Sequence, residues 1–221
     1  MLSSRRRFIL AAALNSQGGF FITVGETTYV SGDTITLTSS ADVTVVGAGS
    51  VEVTVVGAGG GGGGAYTFNS KGGGGGGGSG GMTTGAVSLN DGVYTAQVGV
   101  GGKAGTVSST AADDSTDGGD STFAGVHAGG GKRGVRTSTT GDAGAGGSGG
   151  SGDTTGNPGS TGKSAEAIYG VPAAQGGASV HPDGYGKGGN GNGFAGLMSG
   201  SVNVDVAPTN GTNGVVIIKI L

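Results

Sequence analysis

Few residues in this chain are equipped for chemistry. Cysteine is absent and histidine occurs twice, as His127 and His181. A zinc site or a Ser-His-Asp triad needs partners in a definite geometry, and Ser and Asp are scattered without a spacing that selects any of them. Gly57-Ala58-Gly59-Gly60-Gly61-Gly62 follows a valine-rich segment and matches the dinucleotide fingerprint G-x-G-x-x-G. That fingerprint requires a following helix and an acidic residue about 20 positions on. Polyglycine disfavours a helix by about 1 kcal/mol per residue relative to Ala, and positions 76–80 are Gly and Ser. Ser160-Thr161-Gly162-Lys163-Ser164 resembles the end of a phosphate-binding loop, but Asn157 stands where its first glycine belongs and Pro158 follows. Asp113-Asp114-Ser115-Thr116-Asp117-Gly118 alternates oxygen ligands before a glycine, as calcium loops do. The acid due at the twelfth position is Ala124, so Asp113 and Asp117 are weak cation candidates and an acidic surface turn is the simpler reading. The expectation is a protein without catalysis, resident metal or cofactor.

What must position any functional residue is an unusual backbone. Glycine (58) and proline (4) make up 62 of the 221 residues, about 28%. At that level, without a strict period, low complexity or disorder is the first reading. Hydrophobic residues are 33% and aromatics 5%, with no Trp, so a side-chain core is thin. Each glycine still carries one donor and one acceptor, and ladders of backbone hydrogen bonds between close-packed glycine segments can hold such a chain. We therefore expect the glycines to be ordered. Eleven basic against fourteen acidic residues give a net charge of −3, without the basic stripe that nucleic-acid binding requires. No apolar run approaches the 18 or so residues of a membrane-spanning helix, so neither nucleic acid nor membrane insertion is expected.

Three zones follow along the chain. Residues 1–19 form a basic-apolar arm. Ser4-Arg5-Arg6-Arg7-Phe8-Ile9-Leu10 looks like a twin-arginine signal, but its apolar part stops after Leu14. A docking arm is the better reading, with Arg5, Arg6, Arg7 and Phe8 as attachment residues on a neighbouring subunit. Residues 20–56 are rich in Val, Ile and Thr, broken by turn signals. Val51-Glu52-Val53-Thr54-Val55 alternates as a half-buried strand does. Residues 57–221 form a glycine-rich domain, whose last strand, 214–221, is expected to pair with 51–56.

Within that domain, glycines fall at 141, 144, 147, 150, 156, 159 and 162. A three-residue period matches the left-handed extended helix, which rises about 3.1 Å per residue. Collagen fails as an explanation because the repeat is local and proline scarce. The expected fold is mainly β with polyglycine-II-type helices: strands capping or sandwiching a bundle of glycine-rich extended helices, with little or no α-helix.

The order of motifs resembles the glycine-rich domains of bacteriophage tail-fibre and adhesin proteins. The residues that carry the likeness are Val51-Glu52-Val53-Thr54-Val55-Val56-Gly57-Ala58-Gly59, then Gly92-Val93-Tyr94-Thr95-Ala96-Gln97-Val98-Gly99-Val100. Gly119-Asp120-Ser121-Thr122-Phe123 with Ala128-Gly129-Gly130-Gly131 follows, and Gly214-Val215-Val216-Ile217-Ile218-Lys219 closes the set. The resemblance implies a virion structural protein, located in a phage tail or on the particle surface. Its implied partners are other virion proteins and a host cell-surface receptor, and it implies a homo-oligomer, with a trimer expected. Alternatives are a capsid decoration or head-fibre protein, and an ice-binding protein. The last would need a flat face of regularly spaced Thr or Ala, and Thr139, Thr140, Thr154, Thr155 and Thr161 do not share the three-residue register.

Binding residues concentrate on loops carried by rigid scaffolds. Segments 108–120, 132–140, 165–185 and 194–213 interrupt the glycine pattern. The second holds Lys132, Arg133 and Arg136, a basic patch suited to acidic sugars. The third holds Tyr169, His181 and Tyr185, whose rings suit sugar faces or protein surfaces. The plainer alternative is that these aromatics fill gaps in a glycine scaffold.

Overall fold

A computed structural model describes residues 19–66, 73–108, 114–137, 143–163, 173–191, 193–198 and 201–221. Arg5, Arg6, Arg7, Phe8, Asp113 and Tyr169 lie outside the described residues. The architecture is mainly β, with several antiparallel sheets and no helix among the described residues.

Two four-stranded antiparallel sheets share one apolar core. The first runs β2-β1-β4-β8, from β1 (Phe21–Val24), β2 (Thr27–Tyr29), β4 (Ala41–Val46) and β8 (Gly92–Ala96). The second runs β3-β14-β5-β7, from β3 (Thr34–Leu37), β5 (Gly49–Val56), β7 (Met82–Leu89) and β14 (Val215–Ile220). Alternation sets the inner faces: Ile35 and Leu37, Val43 and Val45, Val51, Val53 and Val55, and Val216, Ile218 and Ile220 are buried. Their polar or exposed neighbours point away, as the two-residue period of a strand requires. Each such Val, Leu or Ile contributes roughly 1.5–3 kcal/mol on burial. β14 lies between β3 and β5, with Val215 opposite Val56 and Ile220 opposite Val51. The sandwich therefore takes β7, β8 and β14 from beyond residue 56 and closes only when the last residues arrive.

Smaller pairs complete the β-structure. β6 (Ala65–Tyr66) lies parallel to β9 (Val107–Ser108). β10 (Ser121–Phe123) and β11 (Val126–Ala128) form a hairpin turned by Ala124 and Gly125, at φ 47° and 86°. Positive φ at both central residues is the geometry that matches strand twist. β12 (Gly193–Met198) and β13 (Ser201–Val206) form another hairpin.

Between these elements the chain crosses back and forth in ten extended passes: 57–65, 73–81, 98–107, 114–120, 129–137, 143–150, 155–163, 173–178, 186–191 and 207–214. They are tied sideways by backbone hydrogen bonds that change partner at every residue and return to the same partner every third. In 57–65, Gly57, Gly60 and Gly63 donate to Gly81, Gly78 and Gly75. Ala58 and Gly61 donate to Gly119 and Thr116, and Gly59 and Gly62 to Thr212 and Thr209. The same pass accepts from Gly102 and Gly105, from Gly131 and Gly134, and from Gly189. Six passes thus surround it. Pass 73–81 has six bonded neighbours as well: 57–65, 129–137, 143–150, 155–163, 173–178 and 186–191.

This enclosure explains both glycine patterns. A Cβ on Gly59 or Gly62 would run into the carbonyl of Lys187 or Asn190, one on Gly60 or Gly63 into that of Lys132 or Val135, and one on Gly61 or Gly64 into that of Lys103 or Thr106. With backbone on every side, no position in the run admits a side chain. Pass 143–150 is bonded to three neighbours, 73–81, 129–137 and 155–163, and is open on its remaining side. Gly144, Gly147 and Gly150 are buried, whereas Ala145 and Ser148 are exposed.

Candidate binding surface

The passes turn at two ends. At the sandwich end, Gly57 bonds to Gly81, Gly81 to Gly129, Gly80 to Gly186 and Gly214 to Gly99. Ser121 fastens this junction. Its buried hydroxyl donates to the Val56 carbonyl at 2.7 Å and accepts the Gly99 N–H at 3.0 Å. At the other end, Gly73 bonds to Lys163, Gly144 to Gly73, Gly191 to Ala174 and Thr209 to Asn190. Residues 67–72, 109–113, 138–142 and 164–172 lie outside the described residues.

The expected basic patch is tied into the scaffold. Lys132 Nζ lies 3.0 Å from Asp117 Oδ2, and the other oxygen of Asp117 accepts the Arg133 N–H at 2.9 Å. The Arg133 guanidinium donates to the Ser115 carbonyl at 2.9 Å. Arg136 is half-buried and reaches the Ala65 carbonyl at 3.4 Å. Segments 114–120 and 132–137, read from the sequence as loops, are passes in the hydrogen-bonded array.

His181 and Tyr185 come together, their ring centroids 5.5 Å apart and tilted by 55°. They sit in the sandwich-end turn between passes 173–178 and 186–191. Tyr169 lies outside the described residues. The His181 side chain is only 12% exposed. Its Nδ1 accepts the Asp183 N–H at 3.2 Å, which places the ring proton on Nε2. The Asp183 carboxylate, at 3.9 Å, is therefore a neighbour of an acceptor nitrogen. Ser179 Oγ organises the turn by accepting the His181 N–H and facing the Tyr185 carbonyl. The arrangement is a folded turn in which Ser179 is engaged by backbone groups.

Sequence reading missed a set of polar side chains that finish the array where passes run out. Asp114, Asp117 and Asp120 accept the N–H groups of Thr106, Arg133 and Gly130. Asn210 and Asn213 accept those of Ala104 and Gly101. Thr209 and Thr212 accept those of Asn190 and Lys187. Each set repeats at three residues, and that spacing was the signal available. The Thr106 N–H, with Lys103 beside it, holds the Asp114 carboxyl below the usual range. Burial pushes Asp117 up, but the Arg133 N–H and Lys132 outweigh it and its pKa is lowered. For Asp120, the Gly130 N–H and then His127, 3.1 Å away, do the same. Among the described residues no group of three or more His, Asp or Glu side chains gathers to hold a metal ion. Both Asp117 oxygens already face protein donors.

The glycine-rich domain family matches residues 35–217. The chain belongs to that family. The match begins in β3 and ends in β14, so this glycine-rich domain takes in most of the sandwich together with every pass. No curated protein matches the chain significantly.

Proposed function

We propose that the ten passes are polyglycine-II-type helices packed as a bundle in layers of three, four and three. Passes 114–120, 129–137 and 143–150 form one outer layer, and 207–214, 186–191 and 173–178 the other. Passes 98–107, 57–65, 73–81 and 155–163 lie between. Three residues per turn aim successive N–H groups about 120° apart. The three-residue return of bonding partners along 57–65 and 73–81 and the six neighbours of each support this packing.

On that scaffold the protein acts as a virion structural protein of the tail-fibre or adhesin type, binding a host receptor or neighbouring virion subunits without chemistry. The observation that carries the reading is the common level at which passes end away from the sandwich, where 73, 144 and 163, 174 and 191, and 190 and 209 are bonded. In this reading the residues that follow these ends in the chain recognise partners, as binding residues carried on rigid scaffolds do. In this reading residues 1–19, which precede the sandwich strands in the chain, attach to the particle.

The test is binding of the labelled protein to a panel of intact bacterial hosts. Wild type is compared with a variant whose 164–172 connection is replaced by Gly and Ser at equal length. Saturable binding that the variant loses, at unchanged fold, is the expected result. Attachment only to phage particles lacking the protein, with no binding to cells, would contradict the adhesin reading and favour a decorating role.

A further inference from the structure

Among the edges of the array with unbonded backbone groups, two complement each other. Pass 98–107 is bonded on two of its outward sides. Gly211 and Gly214 donate to the carbonyls of Gly102 and Gly99, and Thr116 and Gly119 to those of Lys103 and Val100. The third set, the carbonyls of Gly101 and Ala104, receives no hydrogen bond from a described residue. The N–H groups of these residues are capped by Asn213 and Asn210, so this edge offers acceptors only. Val100 stands on it at 71% exposure, the highest among the exposed large hydrophobic residues.

Pass 143–150 is the reverse. Its inner N–H groups, on Gly144, Gly147 and Gly150, donate to Gly73, Gly76 and Ser79, while those of Ala145, Gly146, Ser148 and Gly149 donate to no described residue. Elsewhere some outward donors are capped by Asp, Asn, Ser or Thr side chains, as on 98–107 and 129–137, while those of Asp117, Asp120 and Thr161 donate to no described residue. On 143–150 none is capped, and no charged residue occurs from Ala143 to Gly152. Charge is the usual device that blunts an open hydrogen-bonding edge. Val135, 46% exposed, lies on the adjoining pass, where its N–H meets the Ala145 carbonyl.

We propose that a second copy of this chain docks edge to edge, its Ala145 and Ser148 N–H groups donating to the Ala104 and Gly101 carbonyls of the first, respectively. Donors and acceptors are each three residues apart, a repeat of about 9 Å in an extended helix of this kind. The two passes run in opposite chain directions, as 207–214 and 98–107 already do. Only small side chains stand on the donor edge, and Val100 is covered on the acceptor edge. Lys103 is drawn aside by Asp114, 3.6 Å away. Because different surfaces meet, the contact is heterologous, and copies close into a ring or extend into a ribbon. The inference needs the hydrogen-bonded array but not an adhesive role.

Sedimentation velocity over a range of concentrations tests it with two variants at exposed positions, Val100→Lys and Ser148→Lys. Circular dichroism and thermal midpoints matching wild type establish that each is folded. Wild type is expected to self-associate and each variant to remain monomeric. An equimolar mixture of the variants is expected to form a dimer that grows no larger, since each retains the edge the other lacks. A wild type monomeric up to its solubility limit, variants that associate as wild type does, or a mixture that stays monomeric would overturn the proposal. Loss of fold in the wild-type control spectrum would instead strike at the array itself.

Discussion

At the scale of single residues, position in the array decides what a side chain costs. Gly61→Ala places a methyl group against the Lys103 carbonyl, where no flexible atom can give way. We expect a loss of about 3 kcal/mol or more, beyond ordinary overpacking. Ser148→Ala changes an exposed position and should stay within about 0.5 kcal/mol. Urea denaturation of the two variants checks both values, and equal stability would refute the enclosure of 57–65. The three capping carboxylates predict a pH response. Asp114, Asp117 and Asp120 all titrate lower in the folded chain. Their contribution is therefore present above the unfolded value of about 3.9 and is lost as pH falls through the depressed folded values. The thermal midpoint should drop below about pH 4, and the drop should shrink in an Asp114→Asn, Asp117→Asn, Asp120→Asn triple variant. An undiminished drop would assign the acid sensitivity to other groups.

At the scale of elements, two kinds of structure meet at Ser121. The sandwich is held by buried Val, Leu and Ile, the passes by backbone bonds, and the Ser121 hydroxyl links Val56 of one to Gly99 of the other. Ser121→Ala leaves both groups buried and unpaired, at a cost of about 1–3 kcal/mol. Native-state hydrogen exchange at Gly99 should accelerate accordingly, and an unchanged rate would show that the junction does not depend on this hydroxyl. Much of the strand structure was legible in the sequence. Val51-Glu52-Val53-Thr54-Val55 announces its face by alternation, and its pairing with the last strand follows from the apolar run at 215–218. The boundary at residue 56 was less informative, because composition changes there while the sheet does not: β7, β8 and β14 return to it from the glycine-rich part. Segments 114–120 and 132–137 read as loops for the same kind of reason. Their Asp, Lys and Arg side chains hide passes whose outer positions are free to be polar.

At the scale of the whole molecule, glycine density maps depth in the array. Unbroken runs at 59–64 and 73–78 mark the passes with six neighbours, and exposed non-glycine residues such as Ala145 and Ser148 mark the rim. That relation was only half visible in sequence, which shows the period at 141–162 but not which carbonyls fill the space beside each missing Cβ. Amide hydrogen exchange resolved residue by residue tests the central claim most directly. Residues 57–64 and 73–81 should be protected as strongly as β5. In 143–150, Gly144, Gly147 and Gly150 should be protected and Ala145, Gly146, Ser148 and Gly149 should exchange rapidly under conditions where the protein is monomeric. Uniformly fast exchange across the glycine runs, or protection without the three-residue alternation, would contradict the array.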